Sequence, residues 1–236
     1  MPKIRIGLVL PDVLGTYGDN GNALVLRQRC ALRGIEATVV KLALGDAVPD
    51  NLDLYCMGGG EDFAQVLATE HLLNDGGLSR AAANNRPIFA VCAGLQVLSK
   101  TFHAHGEIVD GVGLIDATTA AMPSRAIGEV TSRPTLPELT EPLTGFENHL
   151  GATILGPGAQ PLGTVTRGTG NNVVEHSGEG VVQGSVIATY MHGPALARNP
   201  QLADLLIARA LDVSLADLEP LTLPEVDRLR SERLRG

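Results

Sequence analysis

The sequence predicts an α/β fold: a mostly parallel central sheet flanked by helices, with extra strands contributed by the C-terminal half. Three observations carry that prediction. Strand-like apolar runs alternate with helix-period segments over residues 1–102, the pattern of parallel strands joined by helices. Within that stretch, the run PIFAV at 87–91 meets a helical pattern at Cys92. Residues 113–192 then change character, to short β-branched runs broken by Gly and Pro.

Taken in order, residues 4–10 form the first apolar run, and a polar, glycine-rich loop follows at 14–22 (LGTYGDNGN). Residues 23–33 read as a helix stopped by Gly34, and 36–42 and 52–57 as the next strands. A helix over 61–73 places Phe63, Val66 and Leu67 on one face, with Glu61 and Asp62 in its first turn. After Cys92, the residues Leu95, Leu98 and Phe102 recur at helical spacing, with Lys100 on another face. In the second half, 163–168 and 181–191 read as strands and hairpins, joined to the same sheet or packed on one edge. A last helix takes Asn199 as cap and Pro200 in its first turn, then carries Leu202, Leu205, Leu206 and Ile207. Beyond Pro224 the alternating charges of EVDRLRSERLRG read as a solvated helix or a frayed end. No low-complexity linker or internal repeat divides the chain. The expectation is one domain over 1–236, with its core at about 4–211 and a tail at 212–236.

Composition narrows the function. The chain is 44% hydrophobic with a net charge of −8, and it lacks the basic stripe of a nucleic-acid binder. No signal pattern or 18-residue apolar stretch appears, so a soluble, cytoplasmic protein is expected. Cys30, Cys56 and Cys92 stand far apart without a CxxC pair, which suggests neither a disulfide framework nor a zinc knuckle. The three lysines, at 3, 41 and 100, lie outside any glycine-rich phosphate loop, so ATP chemistry is not expected in this chain.

Three elements end strands where ligands sit in doubly wound sheets: MGGG at 57–60, the Cys92 corner and YMHG at 190–193. Cys92 sits in a small-x-Cys-x-Gly setting, with Ala90 and Gly94 on either side, the pattern of a nucleophile elbow. It precedes a helix, whose dipole favours the thiolate. The backbone of Gly59–Gly60 and the N–H of Ala93 supply the two donors of an oxyanion hole. His192 follows an apolar run and is the candidate to take the thiol proton and return it to a leaving amine. Cys30 lies on the apolar stripe of the first helix and Cys56 ends a buried strand, so both read as inert. His103 and His105 (FHAHG) are half a metal site without a third ligand, and His71 and His176 have no supporting pattern.

The blocks GGGED at 58–62, CAGLQ at 92–96 and YMHG at 190–193 resemble the active-site blocks of class I (triad-type) glutamine amidotransferases, in the branch shared with cobyric and cobyrinic acid synthases. The blocks YGDNGN at 17–22, SRAIGEV at 124–130, GFENHLGATIL at 145–155 and HGPALARNPQLADLLI at 192–207 are similar to those of the glutaminase subunits of lipid II isoglutaminyl synthases. The resemblance implies a flavodoxin-like fold with Cys92 as nucleophile and His192 as general base and acid. It implies that Arg125 holds the substrate's α-carboxylate, and that Gln96, Gly59 and Gly60 frame the glutamine. It further implies a heterodimer with a Mur-ligase-like synthetase subunit (MurT type) that carries the ATP and Mg and amidates D-glutamate of lipid II. In that arrangement no cofactor or metal is expected in this chain, and the membrane is reached only through the partner's substrate. A glutaminase component of a corrin-type amidotransferase and a non-catalytic subunit of the same fold are the alternatives.

One departure stands out. The wider class carries His-x-Glu, with the glutamate orienting the imidazole, whereas this chain reads His192-Gly193-Pro194. Either an acidic residue elsewhere in the chain or one from the partner fills the role; the resemblance favours the partner. Asp19 and Asn20 border the site, face a partner or shape a turn, the last being the default reading. For Glu147 and His149, loop structure and recognition both stay open.

Overall fold

In the computed structural model, residues 3–173 and 178–235 are described. Two sheets organise them. The first is built from β1 (Lys3–Val9), β2 (Glu36–Leu42), β3 (Leu54–Met57) and β4 (Ile88–Val91), interleaved with α1 (Gly21–Leu32), α2 (Asp62–Asp75) and α3 (Gly77–Ala83). The chain then passes through α4 (Ala93–Leu98) into β5 (Ser99–Ala104), β6 (Glu107–Asp110), β7 (Ile115–Pro134), β8 (Leu143–Leu155), β9 (Gly163–Arg167) and β10 (Gly178–Glu179). It returns with β11 (Val181–Gln183) and β12 (Val186–Thr189), crosses back as β13 (Met191–His192), and ends in α5 (Ala195–Arg198), α6 (Pro200–Leu211) and α7 (Pro224–Arg235).

The first sheet has the order β11-β12-β4-β3-β1-β2 and is parallel except for β11. Strands buried on both faces read as unbroken apolar runs, and β3, β4 and β12 are buried along their whole length. The added strands do more than extend that sheet. β5 to β10, with β13, make a second, mixed sheet in which β7 and β8 form a long antiparallel pair, from Ala117 opposite Leu155 to Ser132 opposite Leu143. One apolar cluster runs from Ile6 and Phe89 under the first sheet to Phe102 and Val130 in the second. Each fully buried side chain of that size contributes roughly 2 kcal/mol.

Three local expectations change. The helix after Cys92 ends at Leu98 and does not reach Phe102: Ser99 turns extended and its hydroxyl bonds back to the Leu95 carbonyl at 2.9 Å. Phe102 is buried from β5 instead. On α2 the buried stripe is Gln65, Ala68, Thr69 and Leu72, while Phe63 stands exposed in the first turn. Asn199 stands at the N-cap of α6 with Pro200 after it, as expected, but its side chain makes no capping bond; its amide bonds instead to both the N–H and the C=O of Thr144 and to the Ala195 carbonyl, pinning α5 to β8. Of the two readings of the tail, the solvated helix holds: α7 is exposed along most of its length and anchored by buried Arg230, which bonds to the carbonyls of Arg198 and Pro142. Among the described residues no helix is long and apolar enough to cross a membrane. His176 lies outside the described residues.

Candidate active site

β4 delivers the chain to Cys92 at full burial, and α4 begins one residue later, so the turn has no loop in which to relax. Cys92 is held at φ 52°, ψ −107°, a conformation that a residue with a side chain adopts only under constraint from its surroundings. Its N–H is fixed by the Thr189 carbonyl of β12 at 2.8 Å, so two adjacent parallel strands hold the corner. This is the strand–turn–helix context that the elbow pattern requires.

His192 reaches the same place from β13. Its Nδ1 donates to Asp19 Oδ2 at 2.9 Å, with both side chains almost wholly buried. The same carboxylate accepts the Gly59 N–H at 3.0 Å and the Gly193 N–H at 3.4 Å. The orienting group missing from the sequence after His192 therefore lies in this chain, in the loop after β1; of the two alternatives the residue elsewhere in the chain holds, and the partner, which the resemblance favoured, is corrected. Asp19 does sit in a turn, its backbone bonded to Thr16 and Asn22, but its side chain borders the site and serves His192. Asn20 shapes the turn, bonding to the Pro11 carbonyl at 3.3 Å, and Asn22 ties the loop to the Leu196 N–H at 2.9 Å. Burial alone would pull the His192 pKa down; the Asp19 hydrogen bond, with the neighbouring Cys92, overrides it and raises the pKa to about 10. With Nδ1 committed to Asp19, the buried Nε2 is the atom left without a hydrogen-bond partner among the described residues. The Tyr17 ring packs against the imidazole at a tilt of 57°, centroids 4.8 Å apart.

Gly59 sits between all three groups. A Cβ there would come 3.1 Å from Asp19 Oδ2, 3.1 Å from His192 Cε1 and 3.4 Å from Cys92 Cβ, so only glycine lets them close together. Its N–H is committed to Asp19, which removes Gly59 as an oxyanion donor and leaves Gly60 and Ala93 for that part.

Beside Cys92 opens a cleft of about 170 Å³ whose lining includes Gly60, Gln96, Arg125, His149 and Tyr17. Arg125 projects into it from the irregularity where the β7–β8 register shifts between Ala121 and Ala126, and its guanidinium reaches Asn148 Oδ1 at 3.1 Å. Gln96, one helical turn beyond Cys92, donates to the Tyr190 hydroxyl at 3.2 Å. The structure thus gathers Cys92, Gln96, Gly60 and Arg125 around one cleft. His103 and His105 also line it, but among the described residues no three His, Cys, Asp or Glu side chains come close enough to hold a metal. Glu147 turns away and accepts the N–H groups of Thr169 and Gly170 at 2.7 and 2.8 Å. Burial pushes the Cys30 thiol up to about 11 and the Cys56 thiol to about 12, as expected of inert core cysteines.

Comparison with known proteins agrees with this geometry. Residues 5–200 match the CobB/CobQ-like glutamine amidotransferase domain. The chain is 34% identical over 213 residues to the GatD subunit of the glutamine-hydrolysing lipid II isoglutaminyl synthase of Streptococcus pneumoniae, covering 89% of this chain and 81% of that protein. To the Staphylococcus aureus GatD subunit it is 33% identical over 223 residues, covering 93% and 89%. A crystal structure of a glutamine amidotransferase superposes with a TM-score of 0.57 at 20% identity, over 87% of this chain and 98% of that one, a likeness of fold.

Proposed function

The chain belongs to the CobB/CobQ-like glutamine amidotransferase family, and we propose that it is the glutaminase subunit of a lipid II isoglutaminyl synthase. It hydrolyses L-glutamine and passes the ammonia to a Mur-ligase-like synthetase partner of the MurT type. That partner carries ATP and Mg and amidates D-glutamate of lipid II to D-isoglutamine. Similarity to two GatD subunits over about nine-tenths of the chain supports the assignment. The observation that carries the chemistry is the strained Cys92 beside an imidazole held by Asp19 at 2.9 Å.

In this reading Arg125 receives the α-carboxylate of glutamine, a match of guanidinium fork to carboxylate. With its pKa raised to about 10, His192 already carries the Cys92 proton on Nε2 at neutral pH, and the Cys92 sulfur attacks the side-chain carboxamide carbon. The oxyanion is met by the Gly60 and Ala93 N–H groups. His192 returns the proton to the amide nitrogen as the C–N bond breaks, ammonia leaves, and a γ-glutamyl thioester remains. Water then attacks the thioester with His192 taking its proton; the C–S bond breaks, and glutamate and the free thiol are restored. Asp19 carries no proton in this cycle. It holds the ring in the tautomer that keeps Nε2 toward the sulfur and stabilises the imidazolium.

The test is ammonia release from L-glutamine by the purified chain, alone and with a co-purified Mur-ligase-like partner, ATP, Mg and lipid II. The expected result is glutamine hydrolysis that Cys92→Ser lowers by at least about 10³-fold, together with glutamine-dependent amidation of lipid II when the partner is present. Absence of hydrolysis in both settings overturns the glutaminase reading. Hydrolysis without lipid II amidation overturns the acceptor.

A further inference from the structure

The chain passes from the first sheet to the second at Tyr190, which belongs to neither β12 nor β13. That crossing is fastened by a carboxyl from β10. Glu179 Oε1 accepts the Thr189 hydroxyl at 2.5 Å and the Tyr190 N–H at 2.9 Å, and Thr189 Oγ1 in turn accepts the Met191 N–H at 3.0 Å. Residues 189 to 191 are thereby tied to one oxygen, directly or through one hydroxyl. The neighbours of Glu179 are pinned as well: Asn171 bonds to the Gly178 carbonyl through its N–H and to the Gly180 carbonyl through its amide, both at 2.8 Å. Gly180 lets β10 come this near β12, since a Cβ there would lie 2.4 Å from the Ala188 carbonyl oxygen. Glu179 is wholly buried, and its Oε2 has no hydrogen-bond partner among the described residues. Burial, with Glu147 nearby, pushes its pKa up to about 7 against the pull of the two bonds. Oε1 can accept both bonds in either state, because a proton on Oε2 leaves it free. A buried acid costs stability that an apolar side chain of the same size would not. What Glu179 adds is the geometry of the crossing.

We propose that Glu179 is a positioning residue for both members of the catalytic pair: by fixing the crossing at Thr189 and Tyr190 it holds the Cys92 corner on one side and delivers His192 on the other. The inference rests on the glutaminase reading and deepens it. On the Cys92 side, the Thr189 carbonyl accepts the Cys92 N–H at 2.8 Å and so helps to keep that residue at φ 52°. On the other side, β13 leaves the crossing to pair with β8, which brings the His192 ring to Asp19. Without the carboxyl, the Tyr190 N–H and the Thr189 hydroxyl lose their acceptor in a dry interior. The crossing then moves to find others, and it takes with it the carbonyl and the imidazole that it carries. Glu179 itself touches neither the cleft nor the reacting atoms.

The experiment measures glutamine hydrolysis, and the NMR titration of the His192 ring, in the full chain carrying Glu179→Leu, Glu179→Gln or Thr189→Val, with kcat counted per folded chain. Glu179→Leu removes the acceptor and should lower kcat roughly 10- to 100-fold with KM within about threefold. Its His192 transition should fall from about 10 to below about 9. Glu179→Gln keeps Oε1 and should return kcat to within about threefold of the unaltered chain, with the His192 transition restored. Thr189→Val cuts only the hydroxyl link; a roughly tenfold fall in kcat with a lowered transition is expected, and it decides the case if Glu179→Leu fails to fold. An unchanged kcat or an unchanged transition in these folded variants, a loss confined to KM, or a Gln variant as impaired as the Leu variant overturns the proposal. If the unaltered chain does not hydrolyse glutamine, the glutaminase reading falls. The His192 titration, which needs no substrate, then decides the Glu179 assignment separately.

Discussion

In the first sheet the reacting groups stand at the ends of short strands buried along their length, whereas the second sheet offers its polar residues along the flanks of long, partly exposed ones. Cys92 follows β4, whose four residues are all buried, and Asp19 lies in the loop after β1. Arg125, by contrast, sits exposed in the bulge of the 20-residue β7. A nucleophile and its base must be held to within a fraction of an ångström, which packed parallel strands can do. A carboxylate clamp tolerates more movement, because a long guanidinium side chain adjusts to its ligand. His192 stands where the chain steps from β12 in the first sheet to β13 in the second, so its placement depends on both.

If that division holds, damage on the first-sheet side lowers turnover and damage on the second-sheet side weakens binding. The largest expected effect after loss of the nucleophile is Asp19→Asn, which keeps the shape but not the charge. It should lower kcat for glutamine by about 10³-fold with KM little changed, read by ammonia release from the isolated chain. A loss confined to KM would break the comparison. Arg125→Ala is expected to do the reverse, raising KM by roughly 10- to 100-fold through loss of a charge-assisted pair, with kcat within a few-fold. An equal fall in kcat would move Arg125 to the chemical side.

The same contrast explains what was legible in the sequence. The parallel half could be read because its strands are unbroken apolar runs and its helices periodic, and the Cys92 corner because strand, small residues and helix are contiguous. The second sheet was harder: β7 mixes alanine, threonine and glycine, so its alternation is faint, and its separation from the first sheet depends on pairing that no local pattern encodes. Ser99 ended α4 through one hydroxyl, where apolar spacing alone pointed onward to Phe102. Asp19 was not paired with His192 because the two meet across 173 residues, and locally Asp-Asn-Gly carries the signature of a turn. The absence of a carboxylate after His192 was the signal that one had to come from elsewhere; only the fold shows where.

The central claim is that Asp19 of this chain, with no help from a partner, sets the state of His192. Its most direct test is an NMR titration of the His192 ring in the isolated chain, with and without Asp19→Asn. The account predicts a transition near pH 10 in the unaltered protein. Because that folded-state pKa lies above the ordinary value of about 6.5, the stability gained from the pair is fully present below about pH 6.5 and is lost as pH rises through about 10. In Asp19→Asn, burial remains and Cys92 alone is left to raise the pKa, so the transition should fall well below pH 10. A His192 that titrates near 6.5 in the unaltered chain, or that ignores the substitution, would contradict the account and return the orienting group to a partner.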